Sequence, residues 1–156
     1  MSKKYLSSVK ELISKKIDYS IFVHAGPVNS LEQAAQERNQ STEQVIRALL
    51  FRLSETNFPL ILVAGSRQIP WKLLRKYFNQ RRLSMATPQE VFDQTGYMVG
   101  TVSPFGIPGN MSIYIENNIK GSLVYSMGSG ESGTALMLTV EEIKKALPMA
   151  KWLTLF

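Results

Sequence analysis

The chain has 156 residues, 44% of them hydrophobic and 19% charged, with a net charge of +6 at neutral pH. That length and balance suit one folded domain with its own core and argue against disorder. Having no cysteine and a single histidine excludes disulfides, thiolate metal centres, thiol catalysis and multi-histidine sites, and leaves His24 as the only possible centre of a Ser-His-Asp triad.

Leu6, Val9, Ile13 and Ile17 recur at helical spacing and predict an amphipathic helix near residues 5–17, within an N-terminal segment 1–19. Lys10, Glu11, Lys15 and Lys16 interrupt any signal-peptide core, and no apolar run approaches the ~20 residues of a membrane helix. A cytoplasmic protein with no membrane partner is therefore expected. Ser20–His24 predicts a short strand ended by Gly26-Pro27. Ser30 is spaced to cap a helix through Gln33, with Ala34 and Ala35 on its packed face. Ser41-Thr42-Glu43-Gln44 is a capping box and predicts a second helix through Val45, Ile46 and Leu49. Leu49 to Leu53 either continues that helix or pairs with Leu60–Ala64 across Thr56-Asn57-Phe58-Pro59. The hairpin is preferred because it needs only a short loop.

Pro70 suits the first turn of a helix running to about Phe78, and a short strand near Leu83 to Ala86 follows. Thr87-Pro88-Gln89-Glu90 is a further capping box, and Gly96 can end its helix. Beyond Tyr97 the chain reads mainly as strands, at Met98–Val102, Met111–Ile115, Ser122–Met127 and Thr134–Leu138. Thr139-Val140-Glu141-Glu142 caps a last helix, stopped by Pro148. The irregular interleaving predicts a mixed α/β fold, a single domain over residues 1–156, in preference to a doubly wound parallel sheet.

Three stretches could carry chemistry. Gly128-Ser129-Gly130-Glu131-Ser132-Gly133 spells G-x-G-x-x-G, but a strand-like run follows it and no acid lies about 20 residues on for a ribose. It reads as a glycine-rich β-turn whose amides and Ser129 can line a pocket. Residues 67–82 carry Arg67, Lys72, Arg75, Lys76, Arg81 and Arg82 and no acid, with Trp71, Tyr77 and Phe78 between them. Such a stretch suits a nucleic-acid backbone, although the aromatics also fit the core face of a helix whose wet face bears the cations. Gly96 to Gly106 brackets a short apolar run with glycines and then turns at Ser103-Pro104. A loop of that kind can aim backbone amides at a carbonyl or phosphate oxygen.

That loop, together with Val23–Ala35, Glu43–Phe51 and Tyr125–Leu138, resembles the YbaK/ProX family of aminoacyl-tRNA deacylase domains, which are related to the editing insertion of prolyl-tRNA synthetases. The resemblance spans about residues 20–147. It implies a compact domain with a barrel-like, largely antiparallel sheet flanked by helices, and hydrolysis of a wrong amino acid from the end of a tRNA. Members are described as working without a metal or other cofactor, through a lysine, the glycine loop and the tRNA's own hydroxyl. The lysine position is Arg47 here, Thr101 stands where the family has a second loop glycine, and Glu116 where members often have aspartate.

The resemblance thus implies Arg47, Gly100 and Thr101 as catalytic positions. It implies His24, Ser30, Ser103, Pro104, Phe105, Gly106, Gly128, Ser129 and Gly130 around the substrate. The six cations of 67–82 would meet the tRNA backbone. The expected partner is the aminoacylated 3′ end of tRNA, with an aminoacyl-tRNA synthetase as a second candidate. The expected function is trans-editing. The alternatives are a catalytically weak binding module of the same fold, and a small-molecule hydrolase unrelated to RNA.

Overall fold

The computed structural model describes residues 6–156; the predicted first helix begins at residue 5, and that position lies outside the described residues. Two sheets form the frame. The smaller has the order β1 (Ser20–Val23), β7 (Thr134–Thr139), β6 (Val124–Gly128), all antiparallel. The larger has the order β4 (Ser84–Met85), β2 (Ile46–Arg52), β3 (Leu60–Ala64), β5 (Ile113–Glu116), β8 (Lys151–Leu153). β2 pairs antiparallel with β3 and β4, whereas β3–β5 and β5–β8 are parallel.

The expected mixed α/β architecture is present, but the barrel is not. Among the described residues one isolated parallel bridge, Val45 to Ser126, links the two sheets, and β2 and β6 form no continuous ladder. This opening frames the cleft described below.

Apolar side chains on both faces explain the central position of the larger sheet. Ile46, Leu50, Leu60, Leu62 and Ile115 face a core shared with the small sheet and with α1 (Ser7–Ser14), α4 (Pro88–Thr95) and α5 (Val140–Ala146). Phe51, Ile61, Val63 and Tyr114 face a second core under α3 (Trp71–Phe78), where Leu74 is fully buried. The same two-faced burial overrides the predicted helix after Ser41. The capping box forms, yet it closes only a 3-10 turn, Thr42–Gln44, and Ile46 onward is strand. A helix there could serve one core, whereas an extended chain alternates between two.

The predicted caps hold elsewhere. The Ser30 and Thr87 hydroxyls accept the amides of Gln33 and Glu90 at the starts of α2 (Leu31–Glu37) and α4, and Thr139 accepts that of Glu142 in α5. The predicted strand Met98–Val102 is instead a turn, with Gly100 at φ +88° and Thr101 N–H donating to Met98 O at 3.0 Å.

Candidate functional site

A cleft of about 420 Å³ opens where β2 and β6 part. Its floor is apolar, with Ile46, Ala48, Leu50 and Met127 from the two strands and Val91 from α4. Val99, Gly100 and Val102 of the loop after α4 form one wall, and Leu31, Ala34 and Arg38 from α2 and its end form another.

Strand register determines what β2 offers this space. Val45 O accepts Gly65 N–H at 2.8 Å and Phe51 N–H donates to Pro59 O at 2.9 Å, so odd-numbered residues bond to β3. The peptide groups of Ile46, Ala48 and Leu50 turn to the opposite, cleft-side edge, where Leu50 O takes Ala86 N–H at 3.0 Å. The loop wall is braced from behind, with Gly130 N–H donating to Thr101 O at 2.8 Å and Tyr97 Oη donating to Phe105 O. Among the described residues the amides of Gly100 and Val102 have no hydrogen-bond partner. Positive φ at Gly100 shapes the turn, and a Cβ there would meet nothing within 4 Å.

Arg47 lies on β2 and not on a helix. It borders the cleft, but its guanidinium donates to Gly65 O at 2.7 Å through Nε and to Arg67 O at 2.6 Å through Nη2. Its cross-strand partner is Val63, so its side chain shares the α3 face of the sheet. Burial lowers its pKa from the ordinary arginine value.

Gly100 and Gly128 border the cleft with Arg47. Ser103, Pro104 and Phe105 are buried behind the loop, and the Ser103 hydroxyl accepts Phe105 N–H at 3.2 Å. Gly106 packs on the first turn of α1, and Ser129 bonds Thr134 and Glu131 within the β6–β7 turn that holds Gly130. Ser30 caps α2. Glu116 is 1% exposed and accepts the amides of Asn117, Asn118 and Leu155, which ties β5 to the C-terminal segment.

His24 is buried beside the cleft in a network that spacing alone did not reveal. Arg38 Nε donates to His24 Nε2 at 3.1 Å, which makes that nitrogen the acceptor. His24 therefore carries its proton on Nδ1 and donates it to Glu37 Oε1 at 2.7 Å. Arg38 Nη1 donates to Ser126 Oγ at 2.9 Å, and Ser126 donates to Gln40 Oε1 at 2.6 Å. The bond from His24, followed by one from Gln33, holds the Glu37 carboxyl below its ordinary range. Burial lowers the Arg38 pKa, and Glu37 opposes that shift. Arg38 and Ser126 meet across 88 positions of chain, so no local motif signals the pair.

The basic segment begins at the Arg47 contact with Arg67 O, and β4, which follows it, brings Met85 to the cleft rim. Trp71 packs edge-on to Phe51, and Tyr77 and Phe78 edge-on to Tyr114; Trp71 and Phe78 belong to the second core, whereas Tyr77 is 48% exposed at its edge. Five of the six cations are exposed, Arg75 is half-buried, and none forms an ion pair among the described residues. Arg67 lies over the Phe156 ring, 5.2 Å from its centroid. Among the described residues no helix is long and apolar enough to cross a membrane.

Known proteins share this chain's sequence pattern and its fold. The chain is 30% identical over 116 residues to the uncharacterised Bacillus subtilis protein YwhH, covering 74% of this chain and 73% of that one. It is 28% identical over 98 residues to the proline–tRNA ligase of Thermosipho melanesiensis, covering 63% of this chain but only 17% of the ligase. Among solved structures, a candidate trans-editing enzyme for prolyl tRNA synthetase has the same fold, with a TM-score of 0.87 at 20% identity over 99% of this chain and 98% of that one. The sequence profile of the aminoacyl-tRNA editing domain matches residues 25–146, and the chain belongs to that family, in its YbaK-like branch.

Proposed function

We propose that this protein hydrolyses the ester of a mischarged aminoacyl-tRNA in trans. The carrying observation is the cleft itself: a space with an apolar floor that can take an amino-acid side chain, bordered by Gly100 and Val102, whose amides are unbonded among the described residues. Water adds to the ester carbonyl, whose oxygen gains negative charge that these amides can stabilise. The bond to the ribose oxygen then breaks, that oxygen takes a proton, and free amino acid and tRNA leave. The neighbouring ribose hydroxyl assists the water, so the scheme needs no histidine base. His24 is unsuited to that task because its acceptor nitrogen is occupied by Arg38. Arg47 serves as a positioning residue that ties the basic segment to the cleft strand. The relatives among proline–tRNA ligases support a misacylated tRNA(Pro) as the substrate class.

The test is single-turnover deacylation across a panel of mischarged tRNAs. Gly100→Val should lower the rate about 100-fold, the scale of one lost oxyanion donor, because a β-branched residue at φ +88° displaces the loop. Circular dichroism should show the fold intact. Wild-type inactivity on every tRNA would overturn hydrolysis in favour of a binding module.

A further inference from the structure

We infer that Arg38 is the cation that meets the substrate in the cleft, and that His24 and Ser126 are positioning residues that hold its guanidinium there. The inference rests on the deacylase reading and names the group that recognises the substrate's oxygen.

Two arginines border the cleft, and their guanidinium groups are engaged differently. Arg47 spends Nε and Nη2 on the carbonyls of Gly65 and Arg67, on the α3 face of the sheet. Arg38 stands at the end of α2 in the cleft wall, with Nε on His24 and Nη1 on Ser126. Its Nη2 has no hydrogen-bond partner among the described residues. A guanidinium gripped along one edge keeps its remaining N–H groups in a fixed plane. Without that grip a long arginine chain would sample many rotamers and lose more entropy on binding. His24 fits the holding role because its Nδ1–H is anchored by Glu37, leaving Nε2 as a fixed acceptor. The serine is held in turn by Gln40.

The cleft floor is apolar and Arg47 is engaged by backbone carbonyls, so an oxygen bearing full or growing negative charge is the partner this N–H group would take. In an aminoacylated tRNA end such an oxygen is either the ester carbonyl during attack or the terminal phosphate. Substrates distinguish the two. An aminoacyl ester of adenosine keeps the carbonyl and lacks the phosphate.

The experiment measures kcat and KM for wild type, Arg38→Ala, Arg38→Lys, His24→Ala and His24→Gln on mischarged tRNA and on the adenosine ester. Arg38→Ala should lose at least tenfold in kcat/KM, and added guanidinium at a few millimolar should restore part of it. A loss on both substrates, in kcat, places the oxygen in the ester. A loss on tRNA alone, in KM, places it in the phosphate. His24→Ala should lose in the same parameter, and His24→Gln, whose amide oxygen can still accept Arg38 Nε–H, should recover much of the loss. If Arg38→Ala fails to fold, Arg38→Lys carries the test, because an ammonium cannot hold both partners and still present a planar N–H. Wild-type activity within twofold in the folded Arg38 variants overturns the inference and leaves the deacylase reading standing. Inactivity of wild type itself removes both.

Discussion

Glu90 joins α4 to the end of β2, two elements of the cleft floor, through one carboxylate. It accepts the Thr87 amide at 2.9 Å and thereby closes the capping box of α4, and it pairs with Arg52 Nη1 at the end of β2 at 2.7 Å. The Thr87 amide first, and Arg52 next among the lowering influences, hold the Glu90 carboxyl below its ordinary pKa of 4.5. The folded state therefore binds fewer protons than the unfolded one between the two values. Its contribution is present above the unfolded pKa and is lost as pH falls through the folded one. Glu90→Gln should lower the urea midpoint at pH 7, with the gap to wild type shrinking by pH 3. A gap that does not change with pH would show that the charge has no part in it. Glu90 was legible in the sequence because the capping box is a fixed local spacing. Arg38 was not, because its partners His24 and Ser126 come from β-strand regions 14 and 88 positions away.

Elements follow the same division between local and distant causes. Caps at Ser30, Thr87 and Thr139 are hydrogen bonds three residues long, so their helices could be placed from spacing. β2 could not be read from its capping box, since two cores compete for its side chains and that competition is tertiary. β8 has three residues and is defined by parallel pairing to β5, so no periodicity announces it. The glycine loop shows both kinds of cause. Gly100 and Gly106 both have positive φ, but a Cβ at 100 meets nothing, whereas one at 106 would lie 2.4 Å from the Ser7 carbonyl carbon. Ala at either position bears the cost of left-handed backbone, about 1–2 kcal/mol. Gly106→Ala adds an overlap with the backbone of α1, on the order of 1–3 kcal/mol more. Urea denaturation should therefore rank Gly106→Ala clearly below Gly100→Ala. Equal midpoints would show that α1 yields freely at this position.

On the scale of the whole molecule, an unclosed pair of sheets and an uneven charge distribution would together set the approach of the proposed tRNA substrate. The sheets touch at Val45 and Ser126 and then part, so the cleft is the space that a closed barrel would have filled with ladder. The segment 67–82 holds six cations and no acid, equal to the entire net charge of +6. One end is tied to β2 through Arg67 O, and the other leads through Arg81 and Arg82 into β4 at the cleft rim. A tRNA whose end enters the cleft would bring its phosphates toward this face, and each neutralised phosphate releases counterions. Replacing Arg75, Lys76, Arg81 and Arg82 by glutamine should weaken tRNA binding. It should also reduce the slope of log affinity against log salt by roughly 0.7–0.9 for each phosphate left without its cation. Four glutamines at Lys10, Lys16, Lys144 and Lys145, on α1 and α5 and the turn after α1, change the net charge equally and should leave the slope near wild type. The difference between the two variants separates a local footprint from a general charge effect. An unchanged slope in the first variant, or an equal fall in both, would take the segment out of the interface and leave the cleft to bind the aminoacyl end alone.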